Sequence, residues 1–136
     1  MTHTTDTLTR FLLPDAGVRG VHVKLQASWR DILAPASYPA NATELLGQAS
    51  VASALFTGHT KVDGRLSIQL RSSTAMRTLF AECTAAGTLR GIVQPADGRG
   101  DAPRAPYALG PGALLALSHD DRGRGVPVPE AYVWSN

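Results

Sequence analysis

The sequence predicts an α+β domain, and two kinds of pattern predict it. Two segments alternate with period two. Val21, Val23 and Leu25 oppose His22, Lys24 and Gln26, while Leu66, Ile68 and Leu70 oppose Arg65, Ser67, Gln69 and Arg71. Each pattern is that of a strand with one buried face. Between them, residues 42–60 carry apolar side chains at helical spacing behind a capping signal. The 136 residues suit one domain. With 43% hydrophobic and 18% charged residues the composition is globular rather than disordered.

Residues 1–9 are polar and are expected to form a flexible arm. Residues 18–25 form the first predicted strand. Ser28 can cap a short helix over 29–33, with Asp31 in its first turn where the helix dipole favours a negative charge. Pro35 ends that helix, because proline disfavours helical geometry in the residue before it. Tyr38-Pro39 reads as an extended connector. Asn41 followed by Glu44 forms the pattern of a capping box for the main helix. Leu45, Gln48 or Ala49, Ala52, Leu55 and Phe56 make its apolar stripe, expected to be buried against a sheet. Gly47, Ala49, Ser50, Ala52, Ser53 and Ala54 are small enough for close packing against a sheet. Asp63-Gly64 signals a turn into the strand at 66–70. Ala75, Met76, Leu79, Phe80 and Cys83 fit helical spacing, so residues alone leave 75–83 ambiguous. Residues 88–94 and 113–118 are short strand candidates, and the Pro/Gly/Asp-rich stretch 95–112 between them reads as a long loop. The tail, 126–136, shows no period.

Thirteen basic and eleven acidic residues give a net charge of +2 without a basic run. That argues against a nucleic-acid interface built on an electrostatic stripe. No apolar run approaches the roughly 18 residues of a membrane span. The polar N-terminus lacks the features of a signal peptide, so a cytoplasmic protein is expected. Cys83 is the single cysteine; it is read as a buried thiol and cannot by itself form an intramolecular disulfide or a thiolate zinc cluster. His3, His22, His59 and His119 are scattered and make no ligand set. Asp120-Asp121 reads as a solvated turn, and Ser72-Ser73 as a turn between strands. Arg99-Gly100-Asp101 and the Gly/Arg repeats at 98–100 and 122–125 read as flexible turns. No nucleophile elbow or phosphate-binding loop occurs. The expectation is therefore no enzyme, no catalytic residue, no metal and no cofactor.

One set of short motifs stands in a fixed order: Arg10-Phe11, Val18-Arg19-Gly20, Trp29, Ile32-Leu33, Tyr38-Pro39, Leu45-Leu46-Gly47, Lys61-Val62-Asp63-Gly64 and Gln69-Leu70, continued by Arg90-Gly91. This order resembles the N-terminal core of the heat-shock protein 33 family, the redox-regulated bacterial chaperones. The resemblance covers about residues 10–125. It implies a partial chaperone core in which mixed β-sheets are layered with packed α-helices, and a strand at 75–83. Three positions depart from the pattern. Gln48 stands where the family usually has glutamate, Val62 replaces a common phenylalanine, and 71–76 replaces a Gly-rich turn. The family's C-terminal zinc-binding cysteines have no counterpart, so a truncated core without thiol regulation is expected.

The resemblance implies an ATP-independent holdase that binds unfolding proteins through apolar surface, at residues the sequence does not identify. The alternative is a non-catalytic structural or oligomerisation module without chaperone activity. A homodimer is expected, with the tail 126–134 as a candidate for exchange between protomers, since Tyr132, Val133 and Trp134 are apolar and uncovered sheet edges invite pairing.

Overall fold

Alternation of buried and exposed side chains organises the main sheet. The computed structural model describes residues 5–59, 64–72, 76–95, 113–120 and 130–135. Strands β1 (Thr7–Leu13) and β2 (Val18–Lys24) precede helices α1 (Ala27–Leu33) and α2 (Ala40–His59). Five strands follow: β3 (Arg65–Arg71), β4 (Met76–Thr84), β5 (Leu89–Pro95), β6 (Leu114–Asp120) and β7 (Glu130–Ser135). β1 and β2 form a ribbon of their own, and the other five form one sheet in the order β5-β4-β3-β6-β7. The α+β class is as expected, but every described pairing is antiparallel rather than mixed. Strands β3, β4 and β5 follow one another, and β6 returns beside β3, which is a Greek-key order.

Register stacks the apolar residues in rows. Val93, Leu79, Leu70 and Leu115 lie side by side across four strands, and Gly91, Ala81, Ile68 and Leu117 form the next row. α2 covers this face chiefly over β4, with β5 and β3 at its sides. Within the ambiguous segment 75–83, residues 76–83 are strand, as the resemblance implied. Leu79, Ala81 and Cys83 are all buried, at the period-two spacing a helix would break. Glu82 faces the other way and is still only 6% exposed. Arg90 Nε reaches its Oε1 at 2.9 Å, Arg65 Nη1 lies 4.0 Å from its Oε2, and the Ser67 hydroxyl donates to Oε2 at 3.1 Å. The carboxylate is thereby compensated by groups on both neighbouring strands, as burial demands.

The buried face of α2 is not the predicted stripe. Ala42, Leu46, Ser50, Ser53, Ala54 and Gly58 are buried, whereas Leu45, Ala52 and Leu55 are half-buried and Phe56 is exposed. Side-chain volume explains the displacement. The inward face is made of residues small enough for the helix to approach β4. Its hydroxyls bond back to the helix: Ser50 to the Leu46 carbonyl at 2.7 Å, Ser53 to the Ser50 carbonyl at 2.8 Å, and Thr57 to the Ser53 carbonyl at 2.7 Å. Polar serines can therefore be fully buried without an unpaired hydroxyl. Leu46 is the large side chain on this face, and it sits over Gly91, where a Cβ would stand 2.9 Å from Leu46 Cδ1. With Ile32, Ala42, Leu70, Leu79 and Val93 it forms the core.

Three local expectations shift. α2 begins at Ala40, and the Thr43 amide donates to the Pro39 carbonyl at 2.9 Å, so Asn41 lies in the first turn and not at the cap. Ser28 likewise lies inside α1, whose exposed amides are capped from a distance. Asp6 Oδ1 accepts from the Gln26 amide at 2.6 Å, and Oδ2 accepts from the Ser28 amide at 3.0 Å and from the Ser28 hydroxyl. The arm expected over 1–9 is thus an anchor from Asp6 onward and a strand from Thr7. The tail expected to lack period supplies β7, which pairs with β6 between Glu130–His119 and Ser135–Leu114.

Burial works against the charged form of Asp6, but the hydrogen bonds from Ser28, Gln26 and Ala27 outweigh it and hold the carboxyl below its ordinary value. A carboxyl lowered in the folded state stabilises the fold at neutral pH and loses that contribution as pH falls below the unfolded value of about 3.9 and through the lower folded one. Asp6→Ala is expected to cost about 0.5–2 kcal/mol at pH 7, as for loss of a helix cap. The gap between the two proteins in urea melts should close as pH is lowered below about 4. For the core, Leu46→Ala is expected to cost about 2–5 kcal/mol, and Phe56→Ala, on the exposed side of the same helix, clearly less in the same melts.

Candidate functional site

The stripe that sequence spacing assigned to the core forms one wall of an open apolar groove. Leu45, Ala49, Ala52 and Phe56 project from α2 on the side away from β5, with Gln48 at the same wall. Ile68 and Leu70 of β3 and Leu79 of β4 make the floor, and Leu115 and Leu117 of β6 make the far wall. The groove measures about 720 Å³, within the usual range of roughly 300–1,000 Å³ for ligand clefts. Gln48 is the polar side chain among these lining residues. The groove follows from the fold in two steps. α2 lies close to β4 because its inward face is small, and the sheet continues past it to β6 and β7. The apolar rows of β3 and β6 therefore extend beyond the area the helix covers. Register places Trp134 of β7 opposite Leu115 and Tyr132 opposite Leu117.

A second apolar surface lies on the β1–β2 ribbon. All seven residues of β1 are exposed, with Leu8 at 46%, Phe11 at 47%, Leu12 at 58% and Leu13 at 52%. The ribbon is seated at the C-terminal end of α2. Arg10 Nε donates to the Gly58 carbonyl at 2.6 Å, and Leu8 and Val21 lie so near Gly58 that a Cβ there would meet Leu8 Cδ1 at 2.8 Å. The Phe11 ring lies over Gly20, its cross-strand partner. Two motifs of the resemblance, Arg10-Phe11 and Val18-Arg19-Gly20, thus meet in one pairing. Trp29 similarly lies against Gly47, 3.4 Å from where a Cβ would stand.

The residues weighed for chemistry are not brought together. Among the described residues no group of three or more His, Cys, Asp or Glu side chains could hold a metal ion. His22 is exposed on β2 and His59 ends α2. His119 and Asp120 belong to the end of β6, so Asp120 is strand rather than turn. Ser72 follows β3, its amide donating to the Arg77 carbonyl at 3.3 Å. His3, Ser73, Asp121 and the Gly/Arg segments at 98–101 and 122–125 lie outside the described residues.

Cys83 is buried on β4. Burial raises its thiol pKa and the adjacent Glu82 carboxylate adds to the rise, while a hydrogen bond with Thr57 opposes it. The thiol is therefore protonated at neutral pH, and the protonated form is the unreactive one. Iodoacetamide is expected to label Cys83 in the folded chain more than about tenfold more slowly than in denaturant, because only an accessible thiolate reacts. Mass spectrometry of timed aliquots measures this.

Residues 6–128 match the sequence profile of the family described as Hsp33 protein. Relatives bearing the name 33 kDa chaperonin include one from Pseudomonas syringae pv. syringae, 37% identical over 115 residues, which is 85% of this chain and 38% of the relative. Another, from Nitrosococcus oceani, is 43% identical over 89 residues, covering 65% of this chain and 31% of the relative. The chain thus spans between about three and four tenths of the length of these relatives. A crystal structure of the 33 kDa chaperonin from Thermotoga maritima superposes with a TM-score of 0.69 at 22% identity, over 98% of this chain and 46% of that one, and so shares its fold. The profile match over most of the chain, joined to the fold it builds, places this chain in the Hsp33 family.

Proposed function

We propose that the chain is an ATP-independent holdase of the cytoplasm that binds unfolding proteins by burying their apolar side chains in the groove between α2 and the β3–β6 side of the sheet. The observation that carries this reading is the groove itself: an open channel walled by Leu45, Ala52, Phe56, Leu115 and Leu117, without a cluster of titratable groups. Such a surface recognises apolar character rather than sequence, which is what an unfolding protein offers. Its energy comes from removing apolar area from water, about 25 cal/mol per Å². The reading includes no catalytic step, metal or cofactor. Membership of a family whose members are named chaperonins supports it. No described helix is long and apolar enough to cross a membrane.

A chemically unfolded client diluted into buffer should aggregate less in the presence of the chain, with no dependence on ATP. Phe56→Asp with Leu115→Asp places two charges in the groove at positions that are 45% and 37% exposed, so the fold should tolerate them. Burying a Phe or Leu side chain is worth about 1.5–3 kcal/mol, so the double variant should need at least about tenfold more protein for equal suppression. Light scattering measures the loss, and a circular dichroism melt confirms that the variant is folded. Equal suppression by a folded double variant would remove the groove from the reading.

A further inference from the structure

We propose that the outer edge of β1 takes up an extended segment of an unfolding polypeptide as a third strand, preferring segments in which acidic residues accompany apolar ones. The inference rests on the chaperone reading above and adds to it a second site with a different mode of recognition: backbone hydrogen bonding in place of a groove.

β1 pairs on one side with β2, in unbroken register from Thr7↔Lys24 to Leu13↔Val18. On its other side no strand lies among the described residues, since the ribbon has two strands. Such an edge presents a row of backbone N–H and C=O groups that fit an extended chain and little else. Proteins usually guard edges with proline, a bulge, exposed charge or a covering element. β1 contains no proline, and its register contains no bulge. Its one charged residue, Arg10, is turned toward α2, with Nε on the Gly58 carbonyl. A two-stranded ribbon is also marginal alone and gains from a third strand.

The side chains beside the edge favour an apolar guest on both faces. Leu8 and Leu12 fall on one face and Phe11 and Leu13 on the other, each about half exposed. A guest strand would set its alternate side chains next to these rows, where cross-strand apolar pairs are formed. Charge decides between possible guests. The two strands of the ribbon carry Arg10, Arg19 and Lys24 and no acidic residue. Arg10 is engaged with Gly58, and Arg19 and Lys24 lie one strand in from the edge, so together they act as a net positive field: it repels a second copy of the same ribbon and attracts a segment bearing Asp or Glu beside its apolar residues.

The test uses the whole chain and a synthetic nine-residue peptide alternating valine with glutamate or threonine. Two further peptides carry N-methyl groups on alternate amides, one in each phase. A strand that adds to an edge directs every second amide to it, so methylation in one phase should weaken binding at least about tenfold while the other phase is tolerated. Replacing glutamate by lysine in the parent peptide should raise Kd about threefold or more, because the net positive charge of the ribbon repels it. Hydrogen exchange should show alternate amides of residues 7–13 slowed by the parent peptide. Equal sensitivity to both phases, or binding that leaves residues 7–13 unprotected, overturns the edge site. So does protection of 7–13 in the chain alone at concentrations where sedimentation shows a dimer, since a second copy then fills the edge. Suppressed client aggregation without protection of 7–13 removes the edge site and leaves the chaperone reading standing. Phase-dependent peptide capture without suppression supports the edge site and removes the chaperone reading.

Discussion

Everything in this structure depends on how closely α2 can approach β4. A helix carrying leucines on its inner face would be held further from the sheet by their volume. Here the inner face is made of serines and alanines, and the one large residue, Leu46, is received by Gly91. The serines are admissible because their hydroxyls are satisfied by the helix's own carbonyls. Close contact along β4 fixes the helix over one part of a five-stranded sheet and leaves the β6 side open. The groove is a geometric remainder of that contact: apolar because the rows continue across the sheet, and open because the helix is seated elsewhere.

The β1–β2 ribbon is held differently. Among the described residues, its links to the rest of the fold include Asp6 on the first amides of α1, Arg10 on the last turn of α2, and Leu8 with Val21 against Gly58. These links leave the ribbon's outer strand unburied. The two apolar surfaces therefore arise from opposite causes. The groove exists because the helix is seated tightly elsewhere on the sheet, and the exposed ribbon because β2 takes most of the contact with α2 and leaves β1 outside it.

Much of this was legible in the sequence, and the failures share a physical cause. Strands β2, β3 and β6 and both helices follow from period and from turn signals. The strand at 76–84 could not be separated from a helix by spacing alone, because its buried row includes Ala81 and Cys83 and its outward row includes Phe80 and the buried Glu82. The apolar stripe of α2 was identified correctly as a stripe but assigned to the core, since spacing reports hydrophobicity and not volume. Small polar residues that can satisfy themselves within a helix outcompeted larger apolar ones for the tightest contact. Apart from Leu55, that displaced stripe is the groove wall, so spacing picks out the wall's residues but places them in the core. The cap of α1 was not legible, because Asp6 lies 22 positions from Ser28. β7 pairs through residues that show no alternation, and pairing with β6 is a tertiary fact.

The return of β6 to the side of β3 also sets an order of assembly. Ile68 faces Ala81 across one ladder and Leu117 across the other, partners 13 and 49 positions away along the chain. Closing the longer loop costs about 1 kcal/mol more in chain entropy, and non-local pairings are slow to form. The β3–β4–β5 meander and the helix over it can therefore organise before β6 arrives. The half of the groove contributed by α2 and β3 then exists earlier than the half contributed by β6. A chain with β3–β5 paired and β6 not yet in place would have an apolar floor bare on one side, and in that form it would resemble the proteins it is proposed to hold.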